Sequence, residues 1–157
     1  GCIAIATAAY ILDASVDAVD ISTSALDLAR QNVVMHELTD RVEIIQSDLF
    51  SELGGRQYDL IVSNPPYVPH RSMLELPEEY SHEPVMAWEA EDEGMAIVDK
   101  ILHQSARYLK ENGILIVEVG EIQQAVEDRY SDLPFTWLEF ERGGDGVFLL
   151  NKADLPV

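Results

Sequence analysis

The apolar run Tyr58-Asp59-Leu60-Ile61-Val62-Ser63 is cut short by Asn64-Pro65-Pro66-Tyr67. The run reads as a buried strand, and the tetrapeptide sits where that strand must stop. Neither proline has an N–H to give to a ladder, and each fixes its own φ. Each also pushes the residue before it toward extended geometry. The outcome is a stiff turn that begins with an amide side chain and ends with an aromatic ring. Such a turn at the carboxyl end of a buried strand adds little to a core. It is well suited to hold one small polar group for chemistry.

The rest of the chain supplies a frame for that turn. Residues 1–10 predict a helix, 16–21 a short strand and 22–36 a second helix. In that second helix Ser24 and Asp27 resemble a capping box, and Leu26, Ala29 and Val33 mark an apolar stripe. Residues 41–46 predict a β-branched strand closed by Ser47-Asp48. Residues 68–90 are irregular, with Pro69, Pro77 and Pro84. A long helical pattern over 92–110 ends before Asn112-Gly113, and a continuous apolar strand over 114–119 is closed by Gly120. Residues 121–130 are helical. Strands at 135–140 and 147–150 are joined like a hairpin through Gly143-Gly144-Asp145-Gly146. Helices alternating with apolar strands predict a mostly parallel α/β sheet covered on both faces, with the closing hairpin as an antiparallel edge. Ligands in such sheets bind beyond the carboxyl ends of the strands. Asp20, Asp48 and Asn64 each fall at or just after the end of a successive strand, so they are expected to line one crevice.

A chain of 157 residues is enough for one domain with a sizeable core. Its formal net charge of −19 argues against a nucleic-acid backbone as the main partner, because phosphate binding needs a basic surface. It fits a basic protein partner, or plain solubility. Cys2 is the single cysteine, so no internal disulfide can form. That is consistent with a reducing, cytoplasmic setting. No segment approaches the ~18 apolar residues of a membrane span, and no signal peptide is evident. His36, His70, His82 and His103 are scattered, none beside another His or Cys at ligand spacing, so no metal site is expected.

Each carboxylate at a strand end has two readings. Asp20 can accept from both hydroxyls of a ribose, or cap the helix ahead of Ser22. Asp48 can accept from an adenine amino group with Leu49 or Phe50 against the ring, or be a plain loop aspartate. Asn64 followed by two prolines is far more specific than either.

Asn64-Pro65-Pro66-Tyr67 resembles the Asn/Asp-Pro-Pro-Tyr/Phe signature of S-adenosylmethionine-dependent methyltransferases that modify planar amino or amide nitrogens. The order Asp20, Asp48, Asn64 is similar to the class I methyltransferase core. Within that superfamily the chain resembles the HemK-like protein-glutamine N5-methyltransferases. The resemblance rests on Val19-Asp20-Ile21-Ser22, Ser47-Asp48-Leu49-Phe50, the run from Tyr58 to Val68, His82-Glu83-Pro84 and Val117-Glu118-Val119-Gly120. The tail, Pro134 to Phe140 and then Gly143 to Phe148, is similar to the branch acting on large-subunit ribosomal protein L-three. The release-factor branch usually ends differently, with an arginine-containing stretch.

The resemblance implies a class I, Rossmann-like fold and S-adenosyl-L-methionine as cofactor. It implies methyl transfer to the side-chain amide of a glutamine in a basic ribosomal protein, or alternatively in a peptide release factor. Gly1, Asp20, Ile21, Asp48, Leu49 and Asn64 would face the cofactor. Asn64, Pro65, Pro66, Tyr67, Glu83 and Pro84 would hold the substrate. The side-chain carbonyl of Asn64 and the backbone carbonyl of Pro65 would accept from the NH₂, with Tyr67 packed on the planar amide.

The family's cofactor loop is a strand followed by Asp-x-x-x-Gly-x-Gly, and this chain begins at the last of those glycines, Gly1. Residues 1–157 are therefore expected to be a truncated catalytic domain. Its first strand, most of its glycine loop and the N-terminal helical substrate-recognition domain would be missing. A gap is expected in the sheet between the strand at 16–21 and the strand at 58–63, with weak or no cofactor binding by this chain alone. Three other readings compete. An adenine-N6 methyltransferase of DNA or RNA shares the Asn-Pro-Pro-Tyr chemistry but clashes with the acidity. An inactive piece would act only as a binding module. A nicotinamide dehydrogenase lacks its glycine fingerprint here.

Overall fold

A computed structural model describes residues 1–66, 95–141 and 143–156. The chain divides into two units, Gly1–Arg56 and Gln57–Val157. Each is built on its own parallel strand pair.

In the first unit, α1 (Cys2–Tyr10) leads to β1 (Val16–Asp20), and α2 (Thr23–Met35) carries the chain to β2 (Val42–Gln46). The two strands run parallel, from Val16 opposite Val42 to Asp20 opposite Gln46. Leu26, Ala29 and Val33 are the buried stripe of α2, at the spacing that lines one helical face. Ala4 and Ala8 of α1 join Val33, Leu38 and Val42 in the core. Small residues permit this approach: a Cβ on Gly1 would lie 2.9 Å from that of Ala29.

Two arginines hold the unit's far end. Arg41 donates through Nη1 to the carbonyls of Ala8 (2.6 Å), Leu12 (3.1 Å) and Ile11 (3.4 Å). It puts a cation where the α1 dipole is negative. Asp17 and Glu43 sit directly opposite in the ladder, a like-charge pair that alone destabilises a sheet. Arg56 bridges them, 2.7 Å from Asp17 and 2.9 Å from Glu43. The Glu43 bond and then the Asp17 bond hold its guanidinium pKa above the ordinary value.

The expected capping box at Ser24 is corrected. The cap is Ser22, whose hydroxyl accepts from the Ala25 amide at 3.4 Å. Ser24 Oγ instead lies 2.9 Å from Ser22 Oγ, and Asp27 pairs with Arg30. The reason is tertiary: Gln46 of β2 donates to the Ile21 carbonyl and to Thr23 Oγ1, turning the chain into the helix earlier.

The second unit holds β3 (Tyr58–Ser63), α3 (Met95–Tyr108), β4 (Leu109–Glu118), a 3-10 turn (Gly120–Ile122), α4 (Gln123–Arg129), β5 (Thr136–Leu138) and β6 (Val147–Asn151). Its sheet has the order β3-β4-β6-β5. β3 is parallel to β4, and β6 is antiparallel to both β4 and β5. Leu115 and Val117 of β4 and Phe148 and Leu150 of β6 are fully or almost fully buried, alternating as a pleated strand requires. Met95, Val98, Ile101, Leu102 and Ser105 are the buried face of α3. The Ser105 hydroxyl is satisfied by the Ile101 carbonyl at 2.6 Å. Phe135, Trp137 and Phe148 pack ring against ring, with centroids 4.9–5.6 Å apart. Asp99 joins α3 to the end of α4 by accepting from Tyr130 OH at 2.9 Å and pairing with Arg129 at 3.3 Å. Burial first, and then the Asp99 bond, push the Tyr130 hydroxyl up to about 12.

The described strands form two sheets, β1-β2 and β3-β4-β6-β5. Two further expectations change. The strand at 58–63 is not fully buried: β3 is an edge strand with a neighbour on one side, and Leu60 and Val62 are each 39% exposed. The helix ends at Tyr108 and β4 starts at Leu109, not Ile114. Tyr58 pairs with Leu109 and Leu60 with Ile114 across a register shift. The Lys110–Asp59 ion pair (2.7 Å) fastens this early start to β3.

The carboxyl end of β4 is closed by two glycines. Gly120 and Gly146 have φ of +49° and +71°. The Gly146 carbonyl accepts from the amides of Val119 (2.7 Å) and Gly120 (3.3 Å). A Cβ on Gly146 would lie 2.5–2.8 Å from the Gly120 backbone. Gly143, also left-handed, has nothing within 4 Å. Gly146→Ala is therefore expected to cost about 1–3 kcal/mol more than Gly143→Ala, the usual penalty for overpacking. Urea unfolding of the two variants checks this, and equal costs would refute it.

Candidate functional site at the carboxyl edges

β1 and β2 end side by side, and the chain beyond them stays paired. The Ser47 amide donates to the Asp20 carbonyl at 3.0 Å. Gln46 Nε2 reaches the Ile21 carbonyl and Thr23 Oγ1, both at 3.2 Å. These bonds bring Asp20-Ile21 and Asp48-Leu49 together on one edge. Asp20 is exposed, and its Oδ1 accepts from the Ser22 amide at 2.8 Å. Both readings of Asp20 therefore survive: it braces the entry to α2, and a carboxylate has about four lone-pair sites. Among the described residues its Oδ2 has no hydrogen-bond partner, so that oxygen is open to a ligand.

The loop after β2 is organised from inside. Ser47 is buried. Its hydroxyl donates to the Leu49 carbonyl (2.9 Å), accepts from the Glu52 amide (3.0 Å) and lies 3.2 Å from Ser51 Oγ. Leu49 has φ of +49°, a conformation that costs a non-glycine residue about 1–2 kcal/mol. Such strain persists only where the surroundings impose it, and here the Ser47 hydroxyl does so. The loop leaves Asp48 exposed and Leu49 half-buried. Phe50 is 7% exposed, a core residue of the unit, whereas Leu49 is half-buried at the loop surface. Nothing in the sequence singled out Ser47. Its signal was a hydroxyl residue at a strand end just ahead of an aspartate, where side chains bond their own backbone.

In the second unit Ser63 pairs with Val117, so Asn64 emerges level with Glu118 at the end of β4. Asn64 is exposed, Pro65 buried and Pro66 half-buried. The turn is thus pinned by a buried ring that cannot donate, while its amide side chain faces outward. Among the described residues that amide makes no hydrogen bond. Tyr67, Glu83 and Pro84 lie outside the described residues, as does His82. Gly1 caps α1 at the helix end remote from Arg41, and its missing Cβ is accounted for by the approach to Ala29.

An open groove of about 680 Å³ lies at the opposite edge of the first unit, toward the amino ends of β1 and β2. Asp17, Arg30, Asp40, Arg41 and Glu43 line it. Arg41 is already committed to α1 carbonyls and Arg30 to Asp27. This groove is separate from Asp20 and Asp48.

Ser47→Ala tests the organisation of the loop. Removing the hydroxyl takes away its part-buried bonds to the Leu49 carbonyl and the Glu52 amide, a cost of about 0.5–1.5 kcal/mol. Thermal unfolding should show the loss, and an unchanged midpoint would refute the role.

The family model for the methyltransferase small domain matches residues 1–78. The chain is 48% identical over 155 residues to the ribosomal protein uL3 glutamine methyltransferase of Francisella tularensis subsp. tularensis, covering 99% of this chain and 49% of that protein. It is 47% identical over 156 residues to the protein of the same name from Neisseria gonorrhoeae, covering 99% of this chain and 52% of that one. The chain thus spans about half the length of the curated relatives it matches. A methyltransferase crystal structure from Pyrococcus furiosus shares the fold, with a TM-score of 0.65 and 15% identity over 94% of this chain and 67% of that one. With near-half identity along essentially its whole length, the chain is similar to the ribosomal protein uL3 glutamine methyltransferases, and it shares the class I methyltransferase fold.

Proposed function

We propose that the whole protein transfers a methyl group from S-adenosyl-L-methionine to the side-chain amide nitrogen of a glutamine in ribosomal protein uL3, in the cytoplasm. The observation that carries this is Asn64: an exposed amide without a bond among the described residues, held by a buried Pro65 at the end of β3. It stands in a chain 48% identical to a uL3 glutamine methyltransferase.

The residues present fit the cofactor. Asp20 offers an open carboxylate oxygen of the kind that accepts from ribose hydroxyls. The exposed Asp48, next to Ile21 and the half-buried Leu49, suits an adenine amino group and ring face. When bound, the cofactor supplies a methyl on a positively charged sulfur, displaced in line by the incoming nitrogen.

The chain's own residues deal with the nucleophile. An amide nitrogen is a weak nucleophile because its lone pair is delocalised into its carbonyl. The side-chain carbonyl of Asn64 and the backbone carbonyl of Pro65 accept its two N–H groups. They orient the lone pair and stabilise the positive charge that builds on nitrogen. This is positioning and electrostatic preorganisation. Pro66 is proposed as a further substrate residue, as are Tyr67, Glu83 and Pro84, which lie outside the described residues. Gly1 closes the cofactor loop in this reading. The curated relatives are about twice as long as this chain, and what residues 1–157 do not supply to the site falls to the rest of the protein.

Two measurements test the proposal. Asn64→Ala in the full-length protein should abolish transfer of labelled methyl to uL3 while cofactor affinity stays within about threefold. Activity within twofold of wild type would sink the role, and methylation of duplex oligonucleotides instead of uL3 would sink the substrate. Calorimetric titration of residues 1–157 should show much weaker cofactor binding than the full-length protein. Micromolar binding by the shorter chain would overturn the division of the site.

A further inference from the structure

We propose that Phe140, flanked in sequence by Glu139 and Glu141 and on the same connection as Asp145, is the docking point for the basic stretch of substrate protein that flanks the target glutamine. The inference rests on the glutamine methyltransferase reading and adds to it the surface that selects the protein.

Phe140 is 52% exposed, whereas Phe135, Trp137 and Phe148 of the same hairpin pack on one another. Its ring is not adrift. It lies over Gly144, where a Cβ would come within 3.3 Å of Phe140 Cδ2. Gly143 and Gly144 have φ of +89° and +101°, and the loop is anchored at Gly146 by the amides of Val119 and Gly120. Glycines thus shape a loop that holds an aromatic ring in solvent. A ring fixed in advance binds at low entropic cost, and aromatic anchors with a polar rim carry much of the energy of protein interfaces.

The position is right for a substrate protein. β5 and β4 are both antiparallel to β6, so β5 ends on the same carboxyl edge as Asn64. The order β3-β4-β6-β5 puts three strand spacings between the two sites, about 15 Å. An extended peptide covers that in about four or five residues. A glutamine at Asn64 therefore brings a residue about that far along its chain to Phe140.

The charge is also right. Residues 139–146 carry Glu139, Glu141 and Asp145 against Arg142, and Glu118 and Glu121 follow on the same edge at the end of β4. Among the described cations of this unit, Lys100 stands on α3, Arg129 pairs with Asp99, and Arg107 ends α3 next to the start of β4. Lys110 pairs with Asp59, and Lys152 donates to the Leu109 carbonyl, at that same opposite edge. The edge that bears Phe140 attracts lysine and arginine, whose apolar stems and charged heads both suit an aromatic face. It repels a phosphate backbone.

The test separates binding from chemistry. Purified uL3 is titrated into the full-length protein by calorimetry, and methyl transfer is followed in parallel on uL3 and on a peptide with three residues either side of the glutamine. Phe140→Ala should weaken uL3 binding and raise its KM about tenfold, leaving kcat and the short-peptide reaction within twofold. Phe140→Trp should restore binding. Wild-type protein that does not bind uL3, Phe140→Ala binding within twofold of wild type, or an equal loss on the short peptide would each overturn the docking role. Phe140-dependent binding of uL3 without methyl transfer would support the docking role and refute the activity. Full methyl transfer with an unchanged KM in Phe140→Ala would do the reverse.

Discussion

The Gly146 carbonyl, shared by the amides of Val119 and Gly120, is the contact on which the carboxyl edge of the larger sheet depends. Among the described strands β4 alone touches both β3 and β6, so whatever stops β4 sets the height of that edge. The stop needs two left-handed residues back to back with no room for a Cβ. Once it is made, the ladder from Ser63 and Val117 delivers Asn64 to the same level. The β5–β6 connection leaves from the same place. Three features far apart in sequence thereby share one boundary, and a single carbonyl fixes it.

Electrostatics is arranged by the same geometry. There are 29 acidic and 10 basic residues, so each cation matters. Arg41 caps α1, Arg56 spans the opposed Asp17 and Glu43, Lys110 secures the start of β4 and Arg129 joins Asp99. Exposed pairs of this kind are worth roughly 0–1 kcal/mol, so their main effect is on register rather than stability. Several of them work at amino edges and helix ends. Among the described residues, Asp20, Asp48, Glu139 and Asp145 at the carboxyl edges pair with no cation. In the proposed complex such a field draws a basic chain and speeds its encounter.

What could be read from the sequence follows from which contacts are local. The stripe Leu26, Ala29, Val33 and the strands flanking it depend on periodicity alone, and they stand where the pattern put them. Asp20 and Asn64 were legible because a polar residue that ends an apolar run has little else to do. The cap at Ser22 was missed because Gln46, on another strand, decides where α2 begins. The early start of β4 was missed because it needs Tyr58 opposite Leu109. Ser47 looked like a loop residue, and its importance comes from burial and from a left-handed Leu49 that no pattern announces. Phe140 looked like the last residue of a strand. Only the glycine beneath it explains an exposed ring.

The two edges solve one physical problem in different ways. Groups that stabilise developing charge must be in place beforehand, because reorganising them during the reaction consumes their benefit. On the first unit a buried hydroxyl holds a strained Leu49 beside Asp48. On the second, two prolines stop β3 and remove the N–H groups that would draw the turn into a ladder, and burial of Pro65 fixes the hinge. Asn64 can then stay exposed and still be well placed, since its backbone has nowhere to go. In the proposed reaction the nitrogen sheds one proton to solvent as it gains the methyl, so the product is a neutral N-methyl amide, and the Asn64 carbonyl holds its remaining N–H without adding a charge of its own.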